Sequence, residues 1–217
     1  MPFAWSNGAS LVNEDGTEYT IDSPEMAEAL DYYTSYFDEG LSPTRLLDPG
    51  ELESGFAEGS FGAFISGPWH AGLVEDAGVT QEQYAVAPLP GPDGAPGSSF
   101  VGGGDLAVFQ DSDNADSAWK YVKWLTEPET QQAFYEEVGD LPAVQSAWES
   151  GELAEDPQLQ VFGQQLENAV SPPAVPTWEQ VAGAIDSIVE QASKGDLPAD
   201  EAVTQMQSEA SSIGTGL

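Results

Sequence analysis

The feature that most constrains this chain is its charge: 38 acidic side chains face only four basic ones, for a formal net charge of −34 over 217 residues. With Arg45, Lys120, Lys123 and Lys194 as the whole cationic complement, almost none of the carboxylates can be paired. At low ionic strength they repel one another and work against compaction. The same field repels phosphate backbones and anionic headgroups, which excludes nucleic acid and membrane surfaces as partners reached through basic patches. Acidic chains that stay disordered lack aromatic residues. This one has six Trp, seven Tyr and nine Phe with 40% hydrophobic residues, enough for a folded core with the acidity on its surface. A salt-rich habitat accounts for such a surface, and an acidic secreted protein from an ordinary habitat remains an alternative.

Periodicity predicts a chain of helices and short strands. From Ile21 to Gly40, Asp22 or Ser23 can cap, Pro24 takes the first helical position and Gly40 ends the run. Met26, Ala29, Leu30, Tyr33 and Phe37 form one buried face. Further helices are expected near 51–58, 114–126, 128–138, 143–149, 157–170, 177–194 and 198–211. Strands are expected at 61–66, 84–89 and 100–109, the last interrupted by Gly102, Gly103 and Gly104. The alternation followed by a helical tail reads as α/β or α+β. The helix near 114–126 stands apart, because Trp119, Tyr121, Val122, Trp124 and Leu125 cover more than half of its circumference. Such a helix asks for burial on two sides, and the segment around it is too small to provide that, so it is expected to pack on sequence outside this chain; the alternative is an amphipathic helix with two partly exposed Trp.

Little in the sequence offers bond-making chemistry. There is no cysteine for a thiolate or disulfide, and His70 is the single histidine, with no nucleophile elbow beside it. Choosing two catalytic carboxylates among 38 is arbitrary. The Asp111 to Asn114 run opens like a calcium loop, but Ala115, Asp116 and Val122 fail the positions that follow, leaving Asp113 or Asn114 as a helix cap. The three consecutive glycines do not match a dinucleotide fingerprint; they permit either a bulge or hinge, or close approach of a backbone or ligand. Trp5, Trp69 and Trp178 follow or open elements beside breakers, where an indole can face the C–H surface of a sugar or simply pack in a core. No metal ligand set, cofactor motif or catalytic constellation is predicted.

Several motifs in order resemble the extracellular solute-binding proteins of carbohydrate ABC importers, similar to the maltose and trehalose type. They are Pro2-Phe3 with Trp5, TIDSPE at 20–25, FAEGSFGAFISGPW at 56–69, YAVAPLPGPDG at 84–94 and FVGGGDLAV at 100–108. SAWKYVKWLTEPETQQAF, GDLPA, EDPQL and PTWEQV follow. The resemblance implies a helix-rich α/β fold of the periplasmic-binding-protein type II class, two lobes joined by a hinge, here mainly the carboxy-terminal lobe of a truncated chain. It assigns 1–103 and 151–217 to that lobe and 104–150 to the amino-terminal one. It implies that Trp69 stacks on the sugar, Gly103 and Gly104 line the cleft, Trp5 completes it, and Trp178 lies near it. Gly104 departs from the larger side chain of many relatives.

The implied protein is extracellular or periplasmic and lipid-anchored through an upstream leader in its full length. It is monomeric, non-enzymatic and cofactor-free, with a neutral oligosaccharide and the permease subunits as partners and no membrane insertion by this segment. Three other readings stay open. A polyamine or other cation could be held by Asp105, Glu179 and the tryptophans. A carbohydrate-active enzyme could use paired carboxylates, and a salt-adapted module could bind nothing.

The charge argument makes a direct prediction. Raising NaCl from ~0.1 M to about 1 M shortens the screening length from roughly 10 Å to roughly 3 Å, so the thermal midpoint in calorimetry rises. A midpoint independent of salt would show that carboxylate repulsion is not a major destabilising force in this chain.

Overall fold

The computed structural model describes residues 1–217, the side chain of residue 152 excepted. In chain order its helices are α1 (Pro2–Ser6), α2 (Pro24–Asp38), α3 (Glu51–Ala57), α4 (His70–Asp76), α5 (Ala115–Leu125), α6 (Pro128–Val138), α7 (Glu152–Glu155), α8 (Pro157–Leu166), α9 (Trp178–Ser193) and α10 (Ala199–Ile213). Tight helical turns occupy Gln81–Gln83 and Gln145–Glu149. The strands β1 (Ser99–Phe100) and β2 (Ala169–Val170) pair in parallel, Ser99 with Ala169 and Phe100 with Val170. Among the described residues no helix is long and apolar enough to cross a membrane.

The residues group into two compact units. The first comprises Met1–Leu46, Leu89–Val101 and Asn168–Leu217, the second Leu47–Pro88 and Gly102–Glu167. Residues 104–150 thus fall within the second unit, which also takes in 47–88 and 151–167.

The first unit is built on α2, α9 and α10. Ser23 caps α2 by accepting from the Met26 amide at 3.2 Å, and Pro24 occupies the first turn, where its missing N–H costs nothing. Gly40 stops the helix with φ +71°, a conformation that favours glycine, while the Leu41 amide donates back to the Tyr36 carbonyl at 2.8 Å. Met26, Ala29 and Leu30 on α2 pack in one cluster with Val181, Ile185, Ile188 and Ala192 on α9 and Ala202, Val203, Met206 and Ala210 on α10. Each set repeats at helical spacing, which is why the sequence pattern and the core coincide. Gln207 of α10 ties the extended segment before α2 to this core. Its Oε1 accepts from the Ile21 amide at 2.6 Å and the Asp22 amide at 3.3 Å, and its Nε2 donates to the Tyr19 carbonyl at 2.9 Å.

The second unit buries far less. Val74, Pro142, Ala147, Leu153 and Leu159 are its buried apolar side chains among the described residues, and side-chain amides tie its loops together. Gln132 Nε2 donates to the carbonyls of Ala147 and Ser150 at 2.7 and 3.0 Å, and Gln131 Oε1 accepts from the Ala143 amide at 2.8 Å. On α5, Trp119, Tyr121 and Trp124 are 52%, 58% and 51% exposed, with Tyr121 and Trp124 stacked at 5.8 Å. Neither of the two sides expected to be buried is buried within this chain.

Most helices fall within a few residues of where periodicity puts them, but the helix expected over 157–170 ends at Leu166 and Ala169–Val170 form β2 instead, 143–149 yields only the tight turn Gln145–Glu149, and the short α1, α4 and α7 carry no periodic signal. The strands differ. Residues 61–66 and 84–89 form none, and of 100–109 only Phe100 is in one. An extended segment becomes a strand only when a neighbour pairs its ladder hydrogen bonds, and here the Ser99 and Val101 amides donate to the carbonyls of Asn168 and Val170 while 61–66 and 84–89 have no such partner strand among the described residues. Ser23, not Asp22, is the cap of α2, its hydroxyl oxygen accepting from the Met26 amide. Asn114 takes the N-cap position of α5 without a side-chain bond, and its own amide donates to Ser112 Oγ at 3.2 Å.

The contrast between the units predicts opposite responses to truncation. Ile185, 2% exposed, should lose about 2–5 kcal/mol on Ile185→Ala. Trp124→Ala should change stability by less than about 0.5 kcal/mol. Urea unfolding of both variants checks this, and a Trp124→Ala loss as large as that of Ile185→Ala would refute the assignment of α5 as a face unsupported by this chain.

Candidate functional site

In the first unit, α1 starts at Pro2, and one turn of helix places Phe3 and Trp5 on the surface of the core. Trp5, half-buried, borders a depression of about 380 Å³ whose rim includes Ser10, Leu11, Ser98, Val170 and Ser171. Ser6 locks this arrangement: its Oγ donates to the Pro2 carbonyl at 2.8 Å and accepts from the Ser98 amide at 2.8 Å. Gly97 is required there, since a Cβ would stand 2.6 Å from Ser6 Oγ and 3.0 Å from the Pro90 carbonyl oxygen. An indole with several hydroxyls suits an uncharged polyol better than an ion. Trp178 opens α9, half-buried against the core, and is not on the rim of the depression. Glu179 is exposed in the first turn of α9, where a carboxylate complements the helix dipole.

In the second unit, Trp69 stands at the N-cap of α4 and is 55% exposed. Its six-membered ring lies directly on the Gly67 backbone, so that a methyl group at Gly67 would collide with it. Phe61 rests on Gly55 in the same manner. Phe56 meets Phe64 edge-on at 5.1 Å and Tyr84 at 6.4 Å. Burial, with help from Glu75 and Asp156, holds the Tyr84 hydroxyl protonated to higher pH than an ordinary tyrosine. Gly103, Gly104 and Asp105 are exposed in an unpaired segment. A Cβ on either glycine would meet nothing within 4 Å, so packing within this chain requires neither.

The seven residues singled out by sequence therefore divide. Trp5, Trp178 and Glu179 belong to the first unit and Trp69, Gly103, Gly104 and Asp105 to the second. Sequence reasoning missed Ser10, Ser98 and Ser171, because a serine outside a periodic segment looks the same whether it lines a depression or a turn. It also left unpaired the hydrogen bonds of His70 with Ser66 and Glu53, whose partners are distant or unremarkable in the sequence. Among the described residues no cluster of His, Asp or Glu is arranged to hold a metal ion.

Comparison with known proteins adds an independent line. A family model described as bacterial extracellular solute-binding protein matches residues 2–161. The maltotriose-binding protein of Pyrococcus abyssi is 32% identical over 197 residues, 86% of this chain and 42% of that protein. The structure of the sugar-binding protein MalE from Xanthomonas citri matches with a TM-score of 0.87 at 27% identity, over 98% of this chain and 54% of that one. A solute-binding protein of an ABC transporter from Thermotoga lettingae, solved with α-D-tagatose, matches at 0.83 and 28% identity, over 98% and 55%. The chain thus spans about half the length of the relatives it matches, and the helix-rich architecture is that of part of a MalE-type binding protein.

The glycine beneath Trp69 yields a local prediction. Gly67→Ala drives the indole off its seat without touching the buried core, so acrylamide should quench the fluorescence attributable to Trp69, measured by difference from Trp69→Phe, more strongly than in the parent protein. The urea midpoint should stay nearly constant. Unchanged quenching would mean that the ring does not depend on Gly67.

Proposed function

The chain belongs to the bacterial extracellular solute-binding proteins, and from that premise we propose that it forms the greater part of the carboxy-terminal lobe of a carbohydrate-binding subunit of an ABC importer. In that protein residues 1–103 and 151–217 build one lobe, while 104–150 belongs to the other. A neutral oligosaccharide of the maltose or maltodextrin kind is held by stacking and hydrogen bonds, without bond-making, and closure of the lobes reports occupancy to the permease. The subunit works outside the cytoplasmic membrane as a lipid-anchored monomer.

The observation that carries this reading is Trp69. Its indole is seated on backbone and more than half exposed, which costs solvation unless a ligand covers the ring. Trp5 beside Ser10, Ser98 and Ser171 supports it with the composition of a sugar subsite. The surroundings disfavour anions, since no Lys or Arg is among the site residues and the net charge is −34. The names of the relatives, among them a maltotriose-binding and a sugar-binding protein, agree in ligand class. The exposed rings of α5 support the two-lobe assignment, as they await a partner that relatives about twice as long can supply. Asp105 and Glu179, on which a cation-binding role would depend, are exposed carboxylates in separate units, and no feature of the site selects that role.

Calorimetric titration with maltotriose tests the proposal. The isolated chain should bind weakly, and joining it to an amino-terminal lobe should restore affinity. In that assembled protein Trp69→Ala should weaken binding at least about tenfold, equivalent to ~1.4 kcal/mol. Raising salt should leave the affinity nearly unchanged, whereas a cationic solute would be displaced. Undiminished affinity in Trp69→Ala would defeat the assignment of the indole.

A further inference from the structure

His70 directly follows Trp69 and joins three separate pieces of the second unit. Its Nε2 lies 3.2 Å from Glu53 Oε1 on α3, and its Nδ1 lies 2.5 Å from Ser66 Oγ in the loop before α4. A carboxylate can only accept, so Nε2–H donates to Glu53, and in the neutral ring Nδ1 is left to accept the Ser66 hydroxyl proton. With both nitrogens engaged and the side chain 17% exposed, the imidazole cannot turn without breaking a hydrogen bond. Phe64 packs edge-on against it at 5.3 Å. The indole of Trp69 lies against the same ring, with centroids 6.1 Å apart and planes tilted by 46°, while its other support is the Gly67 backbone.

We propose that His70, held by Glu53 and Ser66, is a positioning residue for Trp69: the bridge fixes the imidazole, and the fixed imidazole sets the direction in which the indole presents its open face. The inference rests on the sugar-binding reading for its purpose, though not for its geometry. A rotating ring must surrender side-chain freedom when a ligand stacks on it, whereas one already fixed does not. The Glu53–His70–Ser66 bridge therefore raises affinity without touching the ligand.

Fluorine NMR of the 217-residue chain containing 5-fluorotryptophan reads the ring itself, and the resonance lost in Trp69→Phe identifies Trp69. His70→Ala should shift and narrow that resonance towards the value of a freely turning indole, leaving the other tryptophan signals in place. Glu53→Ala should move it the same way, and Glu53→Gln, whose amide oxygen can still accept from Nε2–H, should restore it. A Trp69 resonance unmoved by His70→Ala, or moved equally by both Glu53 variants, would overturn the proposal. Should His70→Ala fail to fold, Ser66→Ala removes the opposite bond under the same criteria. Adding maltotriose to the assembled two-lobe protein separates the two ideas. If the Trp69 signal ignores the sugar but still moves in His70→Ala, the clamp stands and the binding assignment falls.

Discussion

Contact among the apolar faces of α2, α9 and α10 is the interaction on which the rest of the molecule depends. In a chain with 38 carboxylates, ion pairing cannot hold the fold. Lys194 with Glu190, an exposed pair one turn apart on the helix, illustrates how little it can add. Burial of Ile21, Ile185 and Met206 must outweigh both conformational entropy and carboxylate repulsion. The loops of the first unit hang from that core by polar ties, such as Gln207 on the segment 19–22 and Thr177 Oγ1 donating to the Gly214 carbonyl at 2.5 Å.

The second unit solves its problem differently. Its buried apolar set is small, and Gln131, Gln132 and the Trp148 indole, which donates to the Pro142 carbonyl at 3.1 Å, satisfy backbone groups that a sheet would otherwise pair. The consequence is a surface rich in rings. On α5 those rings form an exposed apolar face, while at Trp69 a single ring sits on Gly67 and against His70. Both leave apolar area in water.

Surface charge and binding chemistry follow from one composition. A net charge of −34 disfavours anionic ligands, and uncharged polyols in general are held through ring faces and hydroxyl-directed hydrogen bonds. In the first unit Trp5, Ser10, Ser98 and Ser171 border one depression. The serines contribute no charge to desolvate, so such a depression is inexpensive to fill.

The helices were legible because their apolar residues recur every three or four positions and their ends carry Ser23-Pro24, Pro128 or Gly139. Local chemistry decides these. The resemblance carried by the GPW and GGGD motifs likewise lay on the surface of the sequence, and it reached Trp69 residue by residue. The strands expected at 61–66 and 84–89 did not form, since alternation says nothing of whether a neighbour will accept the hydrogen bonds. The serines beside Trp5 and the bridged imidazole depend on pairs such as Ser6 with Ser98, 92 positions apart, and Glu53 with His70, 17 apart. Net charge, helix positions and family were thus determined by the sequence alone, being sums or short-range patterns. Which indole is exposed, what seats it and which polar groups meet were decided only by tertiary structure, because they are products of distant segments brought into contact.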